Sequence, residues 1–346
     1  MLPHIKDLGK SQLLSFLEKI GEKPFRMRQL MIWLYRKRVN SFDEMTNISK
    51  SFRCVLKENF VLKKLKIGQI LRSRDGTVKF AFFLEDGEII ESVIIPDGKR
   101  TTACLSSQVG CGLGCSFCAT ARIGFRRNLK IGEITGQLAA LNDYLAPQKN
   151  KISHIVFMGM GEPLLNFKNV MAALEYITDD LGFIISPHKI TISTAGIVPG
   201  IRRLAENRIK TVLAVSLNSA DDNLRKKLMP VARKYSLPDI IKAARYYFLK
   251  TGEKVTFEYL MIKDQNMDNQ QRQKIMKIIQ GDYCKFNFIP YNPIGTEDEF
   301  LKPNQDQIDL FLKPLFSLPV VVTLRKSRGA DIGAACGMLR GRLKIN

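Results

Sequence analysis

Short apolar segments alternate with amphipathic segments from about residue 100 onward, and this alternation constrains the fold more than any other feature. Apolar runs typical of buried strands span residues 101–106, 153–158, 190–193, 212–217, 255–262, 286–290 and 320–324. Segments of helical period lie between them, for example 133–144, 170–177 and 240–249. Strands that alternate with crossover helices form a parallel sheet. About six such units predict an α/β fold with a partial (β/α)6 barrel, although periodicity alone also fits a doubly wound sheet.

The first hundred residues follow two other patterns. Residues 1–60 have apolar positions at helical period and many basic side chains, whereas residues 61–100 have strand-like runs separated by Asp75-Gly76 and Asp86-Gly87. An Asp-Gly pair between alternating apolar runs is a good hairpin signal. We therefore predict a small helical basic domain at 1–60, a short β connector at 61–100, and the barrel with a C-terminal loop at 101–346.

The charge of the chain favours a polyanionic partner. It has 54 Lys and Arg against 33 Asp and Glu, for a net charge of +21, and the excess is spread along the sequence. The simplest such partner is nucleic acid. No apolar run reaches the length of a membrane span, and the first residues carry charges where a signal peptide would be apolar. We expect a cytoplasmic protein without a membrane segment.

A glycine-rich loop carries Cys111, Cys115 and Cys118 in a C-x3-C-x2-C spacing. Thiolates this close can ligate three corners of a cuboidal iron–sulfur cluster and leave one iron open, which makes the cluster a reaction site. The alternative is a structural zinc site with Cys104 as the fourth ligand. Its C-x6-C-x3-C-x2-C spacing is unusual for zinc, and none of the three histidines lies near the loop in sequence.

Small and polar residues follow several of the predicted strands. The run GMGEPL at 159–164 comes directly after the strand at 153–158, and serines and asparagines end later strands. Each of these alone is common turn chemistry. Because the carboxyl ends of parallel strands meet at one edge of a sheet, we expect these side chains to surround the mouth of the barrel.

The cysteine spacing, with Phe117 before the last cysteine, resembles that of the radical S-adenosylmethionine (SAM) superfamily. The resemblance implies a 4Fe–4S cluster held by the three cysteines, with SAM chelating the open iron. The GMGEP stretch is similar to the superfamily motif that contacts the amino group of SAM, which implies that role for Gly161 and Glu162. The remaining SAM contacts that we expect are Ser193, Ser216, Leu217, Asn218 and Asn292.

Over nearly its whole length the chain resembles the RlmN/Cfr family of radical SAM RNA methyltransferases. The stretches that carry the resemblance are CLSSQVGC at 104–111, FMGMGEPL at 157–164, ISTAG at 192–196, LMP at 228–230, YNP at 291–293, RKS at 325–327 and AACG at 334–337. Val109 and the pair Glu162-Pro163 look more like the RlmN branch than the Cfr branch, which favours methylation of adenine at C2 over C8. The chain departs from the family pattern at three positions, which are Asn218 for a histidine, Gly333 for an aspartate and Met338 for a glutamine.

The family chemistry implies roles for two cysteines outside the cluster motif. Adenine C2 is electron-poor and cannot attack the methyl group of SAM as a nucleophile. The resemblance implies that Cys336 accepts a methyl group from one SAM and that a radical from a second SAM activates it. Cys104 would then release the product by forming a transient disulfide with Cys336. The resemblance also implies Glu91 as a proton acceptor, although a lone cysteine or glutamate usually has no such role.

The substrates that the resemblance implies are 23S rRNA in the peptidyl-transferase region and the adenosine 3′ of tRNA anticodons. The basic residues 1–60 would bind the RNA backbone, and an electron donor such as flavodoxin with its reductase would serve a monomeric enzyme. Two alternatives remain open at this stage. One is a C8-methylating enzyme, and the other is a zinc-bearing RNA-binding module without catalytic activity.

Overall fold

The computed structural model describes residues 2–278, 282–295, 298–341 and 343. The strands in these ranges are β1 Lys66–Arg72, β2 Val78–Phe83, β3 Ile89–Asp97, β4 Arg100–Cys104, β5 Gln108–Gly110, β6 Phe125–Asn128, β7 His154–Phe157, β8 Ile190–Thr194, β9 Val212–Ser216, β10 Val255–Met261, β11 Cys284–Pro290 and β12 Val322–Leu324. The helices are α1 Lys10–Lys19, α2 Phe25–Met31, α3 Lys50–Asn59, α4 Ile131–Leu145, α5 Phe167–Thr178, α6 Val198–Glu206, α7 Asp222–Leu228, α8 Leu237–Thr251, α9 Asn269–Ile278 and α10 Gln305–Leu312.

The barrel is built from the parallel strands β4 and β7 to β12. Each pairs in parallel with the next, and neighbours follow chain order along the sheet, so six helical crossovers link seven strands in the described part of the chain. A doubly wound sheet reverses its strand order, and this one does not. The structure therefore confirms the partial (β/α)6 barrel, and every strand predicted after residue 100 is present.

The hairpin strands β1, β2 and β3 extend the same sheet instead of forming a separate layer. β3 runs antiparallel to β4, with Val93 opposite Cys104, and β2 and β1 continue the sheet outward in antiparallel order. The turns fall at the two Asp-Gly pairs, as predicted. Strand β4 is thus flanked by a hairpin that belongs to its own sheet, while the division of the chain at residues 60 and 100 stays a prediction.

Helix α8 shows how local sequence fixes a crossover. The Ser236 hydroxyl accepts a hydrogen bond from the Asp239 amide, which caps the first turn, and Pro238 occupies a position where no amide donor is needed. Its buried residues Ile240, Ala243, Ala244 and Tyr247 recur at helical spacing and face the sheet.

The N-terminal helices α1 to α3 bury one apolar stripe each. Leu17 of α1, Leu30 of α2 and Leu56 of α3 are fully buried and belong to the same hydrophobic core as the barrel sheet. The basic residues between these positions therefore stay at the surface. Among the helices that the structure describes, none combines the length and apolar character needed to cross a bilayer.

Candidate active site

The three motif cysteines lie in a loop shaped by the β5–β6 ribbon. Gly110 has a φ of +70°, and a Cβ there would lie 1.8 Å from the Gly124 carbonyl oxygen, so only glycine fits. The Cys111 amide donates to that carbonyl at 2.9 Å, and the Cys118 amide donates to the Cys115 carbonyl at 3.1 Å. These backbone bonds bring all three cysteines to the wall of one cavity of about 180 Å³.

The chemistry of these thiols fits a cluster better than a single ion. Burial raises the pKa of Cys111 to about 12 and also raises the pKa values of Cys115 and Cys118, so a metal centre is needed to hold them as thiolates. The three motif thiols on the wall of this cavity supply one ligand fewer than a structural zinc ion needs, and Cys104 is not among the residues that line this cavity. Three thiols suit a cuboidal cluster, whose irons each take a separate ligand and whose fourth iron stays open.

Glu162 lies beside the cysteines because the glycines before it permit close packing. A Cβ on Gly161, whose φ is +93°, would lie 2.4 Å from the Gln108 Cβ. The Glu162 carboxylate is buried and accepts amide hydrogen bonds from Leu164 at 3.0 Å and Ala195 at 2.8 Å. Burial raises its pKa to about 7 against the effect of these bonds. A carboxylate has further acceptor sites, so Glu162 can still receive a cationic group from the cavity.

Three predicted residues from later strand ends line the same cavity, namely Ser193, Ser216 and Asn218. The Asn218 side chain is held in place, because its oxygen accepts the Leu260 amide at 3.0 Å and its NH2 group lies 3.3 Å from the Met229 sulfur. The amide that replaces the family histidine is therefore a fixed part of the wall.

A second cavity of about 610 Å³ fills the interior of the barrel. Cys104 at the end of β4 lines it, and so does Cys336 in the segment after β12. Cys336 also lines the smaller cavity with the cluster cysteines, so it connects the two spaces. Both thiols are free. Burial, with a smaller effect from Cys336, raises the pKa of Cys104 to about 12, so Cys104 holds its proton at neutral pH.

The barrel cavity also contains unsatisfied polar groups. The side-chain NH2 of Asn292 and the hydroxyl of Ser327 are buried without a hydrogen-bond partner among the described residues, and both residues line this cavity. A buried polar group that faces a cavity without a partner fits a ligand that supplies one. This observation, with the three-cysteine donor set, shows that the residues present suit a cluster and a polar small molecule.

Glu258 is a site residue that sequence reasoning missed. It lies buried on β10 and lines both cavities. Its carboxylate lies 3.8 Å from the Arg325 guanidinium, and burial raises its pKa. Charge interactions with Cys336 and Glu258 raise the pKa of Arg325, so the guanidinium lies close to the Cys336 thiol. The available signal was a single carboxylate in the apolar strand sequence VTFEYLM.

Arg225 is the second residue that was missed, and it organises the strand ends. It is the largest fully buried side chain in the described residues. Its guanidinium donates to the carbonyl oxygens of Ala195 at 2.7 Å, Leu217 at 3.1 Å, Tyr235 at 3.3 Å and Ser216 at 3.4 Å. It thereby ties the loops after β8 and β9 to α7. The sequence offered no signal, because Arg225 stands in a run of three basic residues.

Two predicted residues lie outside the site. Leu217 is fully buried, with its amide bonded to the Glu258 carbonyl at 2.9 Å and its own carbonyl bonded to Arg225. The Glu91 carboxylate lies in the core, 2.9 Å from the Lys79 ammonium. Neither is among the described residues that line the two cavities. The structure therefore does not bring these two side chains to a cavity wall, whereas all the other predicted site residues line one or both cavities.

Two family models match the chain. Residues 4–62 match the ribosomal RNA large subunit methyltransferase N-terminal domain, and residues 105–273 match the radical SAM superfamily. A probable dual-specificity RNA methyltransferase RlmN from Flavobacterium johnsoniae is 44% identical over 339 residues, which is 98% of this chain and 97% of the relative. The dual-specificity RNA methyltransferase RlmN from Oleidesulfovibrio alaskensis is 43% identical over 342 residues, or 97% and 95% of the two chains.

The chain belongs to the RlmN family of radical SAM RNA methyltransferases. The crystal structure of a radical SAM methyltransferase from Sphaerobacter thermophilus confirms the fold, with a TM-score of 0.92 and 37% identity over 98% of this chain and all of that one. RlmN family members are enzymes that use a 4Fe–4S cluster and SAM, and this membership shows that the non-catalytic zinc module is wrong.

Proposed function

We propose that this RNA methyltransferase places a methyl group on adenine C2 through a relay between Cys336 and Cys104. The observation that carries the proposal is the position of Cys336, which lines both the cavity of the cluster cysteines and the barrel cavity that contains Cys104. An electron-poor carbon needs an activated methyl carrier, and a cysteine between the two cavities can serve as that carrier. C2 is favoured over C8 because the full-length relatives named above are RlmN enzymes.

The chain's residues divide the binding work. Cys111, Cys115 and Cys118 would hold the cluster, Glu162 would accept from the SAM ammonium group, and the Asn292 amide would donate to a SAM acceptor. When bound, the cluster and SAM supply a carbon radical that can take a hydrogen atom from a methyl group. Ser193, Ser216 and Asn218 would support this binding from the strand ends, as the resemblance implies.

Cys336 and Cys104 take part in the covalent steps. The Cys336 sulfur attacks the methyl carbon of SAM; a sulfur–carbon bond forms, the sulfonium–carbon bond breaks, and S-adenosylhomocysteine leaves. Addition of that carbon, as a radical, to adenine C2 would leave an unpaired electron, which would return to the oxidised cluster, and the C2–H bond would lose its proton to a base. A base would also remove the proton of Cys104, and the resulting thiolate attacks the Cys336 sulfur. The disulfide bond forms, the electron pair of the sulfur–carbon bond goes to the carbon, and a proton completes the methyl group. An external dithiol then reduces the disulfide.

A basic cavity of about 420 Å³ supports RNA binding by the N-terminal residues. It lies between the N-terminal segment, the hairpin and α4. Its charged lining consists of five lysines and four carboxylates, a small excess of positive charge: Lys6, Lys63, Lys64, Lys66, Lys130, Asp7, Glu85, Glu133 and Asp143. Two of its lining residues, Lys66 and Phe83, lie at the end of the hairpin nearest the mouth of the barrel, because Lys66 pairs with Phe83, and Phe83 with Ile89 of β3, beyond the point where Val93 meets the carboxyl end of β4. We propose that an RNA strand at the mouth extends to this cavity.

Lys6 is the central residue of this cavity. It is 3% exposed, and its ammonium lies 5.9 Å from the centre of the Tyr35 ring. No described carboxylate forms an ion pair with it, because the neighbouring Asp143 is already bound by Lys64 and Arg38, each at 2.7 Å. Three cations thus share one carboxylate. We propose that a phosphate of the RNA backbone neutralises this excess positive charge.

The proposed substrates are 23S rRNA and tRNA, which agrees with a family described as large-subunit ribosomal RNA methyltransferases and with relatives described as having dual specificity. We place the enzyme in the cytoplasm, as a monomer that receives electrons from flavodoxin and its reductase. The test is mass spectrometry of nucleosides from unmodified 23S rRNA fragments and tRNA after reaction with the reconstituted enzyme. The expected product is 2-methyladenosine, and 8-methyladenosine would move the chain to the C8 branch.

The relay is tested with two variants. Cys336→Ala should carry no S-methyl group on its C-terminal segment in intact-protein mass spectrometry, because the methyl acceptor is gone. Cys104→Ala should accumulate protein bound covalently to RNA, because the attacking thiol that releases the product is gone. Cys284→Ala, which removes a buried cysteine that is not among the lining residues of either cavity, is the control and should behave as wild type. Normal turnover by either relay variant would refute the mechanism.

A further inference from the structure

One buried ion pair on the hairpin contacts both ends of the segment that carries Cys336. Lys79 of β2 and Glu91 of β3 lie on the same face of the sheet as Cys104, because Lys79 pairs with Val93 and Val93 pairs with Cys104. The Lys79 ammonium lies 2.9 Å from the Glu91 carboxylate, and Glu91 is only 1% exposed. Two charges buried together need further hydrogen bonds to offset their lost hydration.

Those further hydrogen bonds go to the Cys336 segment. Lys79 donates to the Gly333 carbonyl at 3.2 Å, just before Cys336 in the chain. Glu91 accepts from the Arg340 amide at 2.6 Å and the Gly341 amide at 3.1 Å, just after it. The two partners therefore hold the two ends of residues 333–341, and Cys336 lies in the loop between them.

The middle of the same loop is fastened to the cluster loop. The Ala119 amide donates to the Gly337 carbonyl at 2.7 Å, and the Thr120 hydroxyl donates to the Leu339 carbonyl at 2.8 Å. The loop thus has three attachments, two on the hairpin and one beside the cluster cysteines. With its ends fixed by the ion pair, Cys336 has a defined position between the two cavities.

We infer that Lys79 and Glu91 are positioning residues that set the approach of Cys336 to Cys104, and that Glu91 is not the proton acceptor of the reaction. One Glu91 oxygen contacts the Lys79 ammonium, and the other accepts hydrogen bonds from two backbone amides. The carboxylate is not among the described residues that line either cavity, so it has no contact with a substrate base there. The inference rests on the proposed relay for its catalytic consequence, but the loop position can be measured without catalysis.

The test measures how fast Cys104 and Cys336 form a disulfide when the cluster-loaded, SAM-free enzyme is exposed to diamide, with peptide mass spectrometry as the readout. Lys79→Met and Glu91→Gln should each slow this step by at least tenfold. Lys79→Arg, which keeps the cation, should restore most of the rate. Lys99→Met, at an exposed position of the neighbouring β3–β4 turn, is the matched control and should leave the rate unchanged.

Steady-state kinetics give the second readout. Loss of positioning should lower kcat while the KM for RNA stays within a factor of two, since neither residue lies in the RNA-binding cavity.

Wild-type disulfide rates in folded Lys79→Met and Glu91→Gln would overturn the inference. So would a Glu91→Gln variant that keeps the disulfide rate but accumulates RNA adduct, because that result makes Glu91 a proton acceptor. If single variants fail to fold, the Lys79→Met/Glu91→Gln double variant removes the unpaired charge and is measured instead; a wild-type rate there also overturns it. Turnover by Cys336→Ala would refute the proposed relay but not the positioning role of Lys79 and Glu91, because the diamide assay measures disulfide formation without catalysis.

Discussion

Replacing Lys6 by methionine should make the protein more stable and at the same time weaken its binding of RNA. Methionine keeps the length and apolar stem of the side chain and removes only the ammonium. Burial lowers the pKa of Lys6 to about 8 from an ordinary value of 10.5, because the charged form has lost its hydration and has no carboxylate of its own. At neutral pH the buried charge of Lys6 therefore destabilises the folded state, whereas in the unfolded chain the same charge is hydrated.

The size of that cost follows from the pKa. Lowering a lysine from 10.5 to about 8 corresponds to about 3 kcal/mol of stability. The methionine variant also loses a cation–π contact with Tyr35, worth about 0.5–1 kcal/mol at the long distance of 5.9 Å. The expected net gain in the free energy of unfolding is about 2 kcal/mol at pH 7, which raises the melting temperature by a few degrees.

The pH dependence of the gain has a definite sign. Below pH 8 Lys6 is charged in both the folded and unfolded states, so the whole cost is present. Between pH 8 and 10.5 the unfolded chain binds more protons than the folded one, and the stability of the wild type therefore rises with pH toward that of the variant. The difference between them should shrink over this interval, and thermal unfolding followed by circular dichroism at several pH values measures it.

RNA binding supplies the other half of this prediction. Loss of one phosphate contact should lower the slope of log affinity against log salt concentration by about 0.7–0.9. Fluorescence anisotropy with a labelled tRNA anticodon stem-loop measures that slope from low to high salt. Lys242→Met, at an exposed lysine on α8, is the control and should change neither stability nor slope. A Lys6→Met variant that melts earlier than wild type at pH 7, or that keeps the wild-type slope, would refute the reasoning.

Two further substitutions test the site walls. Arg225→Met should lower the free energy of unfolding by about 3 kcal/mol, because four backbone carbonyls lose their donor. Urea titration measures the difference from the control Lys227→Met on the same helix. Equal stability of the two variants would contradict this role of Arg225. Gly161→Ala should weaken SAM binding at least tenfold in equilibrium dialysis, since its Cβ would overlap Gln108 at 2.4 Å. Gly21→Ala, also at positive φ but with no atom within 4 Å, should bind SAM as wild type does, and a matching loss there would show that the overlap is irrelevant.

The sequence predicts the fold well because the barrel is built from local patterns. Strands such as β10 are continuous apolar runs, and helices such as α8 carry their own caps and stripes, so each element is recognisable within its own residues. The motif cysteines were also found locally, since a cluster loop needs its ligands within a few residues of one another. The fold predictions that the structure confirms are therefore those whose cause lies in one short segment, and the cluster ligands stay a prediction of the same local kind.

The residues that were missed depend on pairing between distant segments. Arg225 cannot be distinguished in sequence from the lysines beside it, and its role appears only when the ends of β8 and β9 meet α7. Glu91 was assigned a chemical role by resemblance, whereas in the structure its carboxylate contacts Lys79, which lies diagonally across from it on β2, and two amides of the Cys336 loop. Strand register and loop contacts of this kind are long-range properties that no local pattern contains.

The contacts of the C-terminal segment show how Cys336, which follows the last strand of the sheet, reaches the cavity of Cys104 on the first parallel strand. The described sheet is open, with the hairpin at one edge and β12 at the other. After β12 the chain returns to the hairpin. The Gly329 amide donates to the Asp75 carboxylate at 2.9 Å, and the Asp331 carboxylate accepts from the Ser73 hydroxyl at 2.6 Å. The ion pair on β2 and β3 then binds the two ends of residues 333–341. The segment therefore bridges the two edges of an incomplete barrel. A closed barrel would seal its interior with an eighth strand, whereas a bridging loop leaves room for a nucleotide and carries Cys336 across to Cys104. The open sheet is thus compatible with the proposed relay, since a segment that returns from the last strand to the first brings these two thiols to the wall of one cavity.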